Sequence, residues 1–175
     1  MQQLIMRWEN DKTVSNPLTL PDDIEVKKLS EINNGVEEWL DIIKYMEKEP
    51  VEQSVDFYDK LMLSYENYRE DLCFIITVNG VSAATITVIC DPVKKEGYIH
   101  MVACKPDFRG RGIGHLLNDI ALNVLKSEKM ETAHLTTDDW RIPAIKTYLK
   151  AGFTPDTKTF PDFKERWQKI YSAII

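Results

Sequence analysis

The stretch with the plainest chemical purpose runs CKPDFRGRGIGHLL, from Cys104 to Leu117. Gly110, Gly112 and Gly114 stand at alternate positions, with Arg109 and Arg111 between and before them. Glycine lacks a Cβ, so backbone there takes positive φ and approaches a ligand closely. An apolar periodic run follows from Ile113, so the glycines open a helix whose first N–H groups have no intrahelical partner and lie at the positive end of its dipole. Such a turn binds phosphate, and two guanidinium groups suit a diphosphate. Two arginines at a helix start are unfavourable unless an anion accompanies them. The turn has no Gly-x-x-x-x-Gly-Lys-Ser/Thr, which argues against a nucleoside-triphosphate loop. Its spacing is also not the Gly-x-Gly-x-x-Gly of dinucleotide sites, and it follows a hairpin near mid-chain instead of opening the first βαβ unit.

The elements that hold this turn can be read from periodicity. Gln3 to Trp8 is a candidate strand, Asn10 to Asp23 a connection, and Ile24 to Leu29 a half-buried strand. Val36 to Met46 and Val55 to Tyr65 carry apolar residues at helical spacing, with a break around Pro50. Cys73 to Val78 and Val81 to Cys90 are β-branched runs joined by Asn79-Gly80, a strong hairpin signal. Tyr98 to Cys104 adds a third antiparallel strand. The period then changes: helix over Ile113–Leu125, strand over Thr132–Thr137, helix over Ile142–Lys150 stopped by Gly152, and a terminal helix from Phe163 with Asp162 as its N-cap. This order predicts an α/β (α+β) fold around a mixed sheet, in one domain over 1–175. Its parts are an N-terminal strand and extension over 1–23, a core over 24–153 and a tail helix over 154–175.

The chain of 175 residues is 43% hydrophobic, which supports a substantial core, and carries a net charge of -6. An acidic balance argues against nucleic acid as a partner. No run approaches a membrane span and the N-terminus lacks the features of a secretory leader, so a cytoplasmic location and no membrane association are expected. Cys73, Cys90 and Cys104, and His100, His115 and His134, show no metal-ligand spacing, so no metal is expected.

Arg109-Gly110-Arg111-Gly112-Ile113-Gly114 matches the Arg/Gln-x-x-Gly-x-Gly/Ala signature of the GNAT superfamily of N-acetyltransferases, and Val102 to Pro106 resembles that family's cofactor strand. Asp139 to Phe153, with Ala144, Tyr148 and Gly152-Phe153, resembles the family's later motif. The resemblance implies a largely antiparallel sheet, helices on both faces, and a splay at the cofactor strand. It also implies acetyl-coenzyme A as cosubstrate. Backbone of Val102, Ala103 and Cys104 would meet the pantetheine arm, and Arg109, Gly110, Arg111, Gly112, Ile113 and Gly114 would hold the pyrophosphate, with Lys105 near. Tyr148 matches the residue that protonates the departing thiolate. Arg141 stands where the family often has asparagine, at the approach to the cofactor.

The base is less plain. Tyr98 stands where many relatives have a glutamate, and His100, placed by strand alternation on the face of Tyr98 and Val102, is the candidate. Asp138 and Asp139 are alternatives that also suit a helix cap. Cys104 lacks the His and acid constellation of a covalent nucleophile. The expected reaction is direct attack of a primary amine, on a small molecule or peptide, upon acetyl-coenzyme A by a monomer or homodimer. The alternative is a non-catalytic acyl-coenzyme A sensor or interaction module. The acceptor would meet the two early helices and the loop near Pro50, where Trp39, Tyr45, Phe57, Tyr58, Tyr65, Glu47, Glu49 and Glu52 lie.

Overall fold

A computed structural model describes residues 2–10, 17–46 and 54–174. The break at Pro50 and the acids Glu47, Glu49 and Glu52 lie outside the described residues. Among the described residues seven strands form one sheet: β1 (Leu4–Glu9), β2 (Ile24–Lys28), β3 (Cys73–Val78), β4 (Val81–Asp91), β5 (Glu96–Cys104), β6 (Thr132–Thr137) and β7 (Thr154–Pro155). Their order is β2-β3-β4-β5-β6-β1-β7, and every neighbouring pair is antiparallel except β5 and β6. The helices are α1 (Gly35–Ile43), α2 (Val55–Tyr58), α3 (Ile113–Ser127), α4 (Ile142–Lys150) and α5 (Phe163–Ile174). The mixed, largely antiparallel α/β fold is therefore as expected.

Local chemistry sets several of these elements. Asn79 and Gly80 both take positive φ, 49° and 77°, the backbone that a two-residue hairpin needs to match strand twist. Leu117, Ile120, Ala121, Val124 and Leu125 put an apolar stripe of α3 on the sheet. There they share one core with Ile86 and Val88 of β4, Leu135 of β6 and Trp167 of α5. The other face buries Trp39, Ile42 and Ile43 of α1 and Tyr58 of α2 on Cys73, Ile75, Met101 and Ala103. Helices thus cover both faces. Gly97 of β5 faces the first core so closely that a Cβ there would come 2.1 Å from Leu125 Cδ2. Gly97→Ala is expected to lower stability by about 1–3 kcal/mol through overpacking, read as a fall in Tm; an unchanged Tm would show that Leu125 has room to move.

Three features depart from what the sequence predicts. The N-terminal strand is not an appendage but lies inside the sheet, paired with β6 on one side and with the two residues of β7 on the other. Strand β7 has no counterpart in the periodicity; it is short, and Pro155 has no N–H to give a further neighbour, which suits an edge. The second helix does not run regularly to Tyr65. It is capped by Ser54, whose Oγ accepts from Phe57 N at 3.1 Å, and opens after Tyr58 into one π-turn over Asp59–Leu63. Asp162 does stand at the N-cap position of α5, its carbonyl accepting from Arg166 N at 3.1 Å, while its carboxylate accepts from the Arg166 guanidinium at 3.2 Å.

Strand β5 carries the site. Thr85 pairs with Ala103 and Thr87 with His100, so Met101 and Val102 together stand opposite Ile86. This is a β-bulge, with Met101 at φ 51°. The bulge breaks the alternation expected from sequence. Met101 and Ala103 join the core under α1, whereas Val102 and Cys104 pack on the α3 side. Val102 therefore does not share a face with His100. Pairing of β5 with β6 runs only from Glu96↔Thr132 to Ile99↔Leu135, and beyond it the two strands splay.

Candidate active site

The splay opens a cavity of ≈ 860 Å³ between β5, the glycine turn, α3 and α4. Val102, Ala103, Cys104, Arg109, Gly110, Gly112, Ile113, Gly114, Arg141 and Tyr148 all line it. Ten of the residues that the sequence nominates are thus brought to one wall. Gly110 and Gly112 sit at φ 77° and 81°, Gly112 immediately before α3. Among the described residues the N–H groups from Gly110 to Gly114 have no hydrogen-bond partner within the chain. Successive unpaired amides at the positive end of a 15-residue helix form an anion-binding nest.

The basic side chains are placed differently from the sequence expectation. Arg111 does not line the cavity; its guanidinium meets Asp23 at 2.7 Å. Arg109 donates from Nε to Cys104 O at 3.0 Å and from Nη2 to Tyr45 O at 3.2 Å. Lys105 is ion-paired with Asp41, whose carboxyl Lys105 and then Lys44 hold below its ordinary value. The charge that by itself would call for an anion is therefore partly met by the fold, and the nest of N–H groups becomes the stronger argument.

A second cavity of ≈ 290 Å³ lies on the other side of the splay. His100 and Tyr98 line it with Tyr65 and Gln3, and Met46, Val102, Arg141 and Tyr148 line both cavities. The two spaces meet at those four residues. Gln3 and Met46 are not identifiable from sequence, because strand and helix ends carry no local sign of what they face. Trp39 and Tyr58, on the helices expected to meet the acceptor, are core residues, 0% and 3% exposed, as aromatic stripes at helical spacing usually are.

His100 is set by the π-turn. Its Nε2 lies 2.8 Å from Leu61 O, and a carbonyl only accepts, so Nε2 carries the hydrogen and the neutral ring keeps its lone pair on Nδ1. Burial moves the His100 pKa below its ordinary value, with the Leu61 bond opposing. Tyr65 and Tyr98 pack against it at centroid distances of 4.8 and 5.0 Å. Asp138 accepts from Gln3 at 3.2 Å and pairs with Arg141 at 3.1 Å. Asp139 is paired with Arg166, which holds its carboxyl below the usual range. The residue at the N-cap position of α4 is Arg141, which makes no side-chain cap bond, and both aspartates lie ahead of it.

Tyr148 is 6% exposed, and burial pushes its hydroxyl up to about 12, so it keeps its proton at neutral pH. The Gly-Phe pair fixes it. Gly152 (φ 92°) donates to Leu149 O at 3.1 Å and Phe153 N to Tyr148 O at 3.0 Å, a Schellman closure of α4. The Phe153 ring then lies 6.2 Å from that of Tyr148. Burial raises the Cys104 thiol, which agrees with its rejection as a nucleophile.

The pattern that defines the acetyltransferase (GNAT) family matches residues 36–153. The chain belongs to that family. Among curated proteins, mycothiol acetyltransferase of Tsukamurella paurometabola is 35% identical over 68 residues, 39% of this chain and 23% of that protein. Solved structures of the same fold include a GCN5-related N-acetyltransferase from Sphaerobacter thermophilus (TM-score 0.66, 18% identity, covering 89% of this chain and 50% of that one). The ribosomal-protein-S18-alanine N-acetyltransferase of Escherichia coli matches at TM-score 0.62 and 21% identity, over 77% and 79% of the two chains. The NatC complex bound to Gag peptide and CoA matches at 0.63 and 22%, over 81% and 92%. This GNAT chain thus spans about a quarter of the curated relative's length and half of the first of these structures. Among its described residues no helix is long and apolar enough to cross a membrane, and no group of three or more His, Cys, Asp or Glu could hold a metal.

Proposed function

We propose that this protein moves an acetyl group from acetyl-coenzyme A to a primary amine by direct attack. The observation that carries the reading is the meeting of two cavities at Tyr148 and Val102, one bordered by the nest and the unpaired edge of β5. The nest residues would hold the pyrophosphate, and backbone of Val102, Ala103 and Cys104 the pantetheine arm. An amine entering by the smaller cavity would attack the thioester carbon, and backbone N–H of β5 would stabilise the oxyanion. As the C–S bond breaks, Tyr148 gives its proton to the sulfur, while the proton lost from the amine passes to His100 Nδ1, directly or through water. The cofactor in the NatC structure and the amine acceptors that family names carry support this assignment. The parts over 1–23, 24–153 and 154–175 act as one domain in this reading, in the cytoplasm, as a monomer or homodimer. Calorimetric titration with acetyl-coenzyme A tests it, and no binding at high micromolar ligand would end it.

The second reading, an acyl-coenzyme A sensor, is favoured by one observation: among the described residues no carboxylate lines the smaller cavity. It predicts binding with no thiol release over a broad amine panel. The pH profile separates the readings further. With His100 as base, the acid limb of kcat/KM falls below pH 6.5, its ordinary value, because burial favours the neutral ring. His100→Gln should lower kcat/KM about 100-fold and remove that limb. Stability has the same sign: the unfolded chain binds the proton more readily, so the contribution is full above pH 6.5 and is lost as pH falls through the lower folded value. An acid limb unmoved in His100→Gln would exclude the base role.

A further inference from the structure

We propose that Asn118 is a specificity-determining residue of the large cavity, its side-chain amide donating to a carbonyl oxygen of the pantetheine arm. The proposal rests on the acetyl-coenzyme A reading of that cavity. Asn118 lies one turn after Gly114 on α3, so the two share a face. That face looks to α4: a Cβ on Gly114 would sit 3.4 Å from Thr147 Cγ2. Asn118 is 3% exposed, follows Leu117 and precedes Ile120 and Ala121 in the buried stripe, and lines the cavity.

Its Nδ2 has no hydrogen-bond partner. Across the seam the Thr147 hydroxyl donates to Ala144 O at 2.8 Å and makes no hydrogen bond with Asn118. A buried amide donor left unpaired costs stability, and a leucine of nearly the same shape would serve the core better. The fold therefore bears a buried donor that nothing in it uses, at the wall of a cavity of ≈ 860 Å³. With the phosphates on the glycine nest and the thioester at Tyr148, the segment between them is the pantetheine arm. That segment holds two amides. The splayed backbone of β5 serves one side of the arm and Asn118, on α3, reaches it from another.

The test gives stability and affinity opposite signs. Asn118→Leu and Asn118→Ala are titrated with acetyl-coenzyme A and with 3′-phospho-ADP, the nucleotide part without the arm. Asn118→Leu is expected to raise Kd for acetyl-coenzyme A about tenfold, to leave Kd for 3′-phospho-ADP within twofold, and to raise Tm by about 2–4 °C. Asn118→Ala should weaken acetyl-coenzyme A binding similarly. Unchanged acetyl-coenzyme A affinity in both variants overturns the proposal while leaving the cofactor reading intact. Equal loss for both ligands, or a lower Tm in Asn118→Leu, also overturns it by marking a structural residue. A wild-type protein that does not bind acetyl-coenzyme A removes the cofactor reading and the proposal with it.

Discussion

Tyr148→Phe is expected to lower kcat about 100-fold while leaving KM for acetyl-coenzyme A within twofold. The substitution removes one oxygen and keeps the ring that packs 6.2 Å from Phe153. The closure of α4 by Gly152 and Phe153 uses backbone, so it survives unchanged. What disappears is a proton that burial holds in place at neutral pH, with the hydroxyl pushed up to about 12. A leaving thiolate then departs without an acid. Steady-state kinetics by free-thiol release measure this, with Tm as the control for folding. A kcat within twofold of wild type would reduce Tyr148 to a packing residue and leave the leaving group to solvent.

Gly112→Val should weaken acetyl-coenzyme A binding at least tenfold, whereas Gly114→Ala should bind within threefold of wild type. Gly112 holds φ 81°, and a β-branched residue there is a genuine outlier, costing about 1–2 kcal/mol or more of strain. The chain would relieve that strain by rotating the peptide, which turns its N–H away from the nest. Empty space around the added Cβ does not help, since the obstacle is the backbone itself. Gly114 has no positive φ, and its Cβ would make an ordinary contact with Thr147. Calorimetric titration of both variants decides the matter. Equal affinities would mean that the cofactor's charge is held elsewhere, on Arg109 or a rearranged Arg111.

Features with a local cause are legible in the residues themselves. Asn79-Gly80 needs only two residues to specify its turn, and the stripe on α3 repeats at 3.6. Gly152 likewise declares the end of α4. The glycine turn stands out because three glycines and two arginines open a helix, and Tyr148 because its surroundings resemble the later motif of the GNAT family. What escapes depends on partners far along the chain. Nothing within Leu4–Glu9 says that it will pair with Thr132–Thr137 on one side and with Thr154–Pro155 on the other. The bulge at Met101 uses a non-glycine residue at positive φ, so no glycine announces it. Arg111 reads as a ligand group because its partner, Asp23, lies 88 positions away and carries no mark of the pairing. Asn118 gives no signal because one polar residue does not disturb a helical stripe.

The place of β1 also bears on when the protein can become competent. Gln3 and Asp138, joined by a side-chain bond beside the smaller cavity, are 135 positions apart. At a synthesis rate of about 5–20 residues per second, the first strand waits roughly 7–27 s for the strand it will pair with. Until then β3–β5 can assemble as sequential hairpins, with β2 joining across α1 and α2, but the half of the sheet that borders the smaller cavity cannot. Loop closure over such a distance is slow to be rewarded. The β5 and glycine-turn wall of the larger cavity thus has the means to form early, whereas α4 and the β1–β6 side of the smaller cavity wait for the second half of the chain.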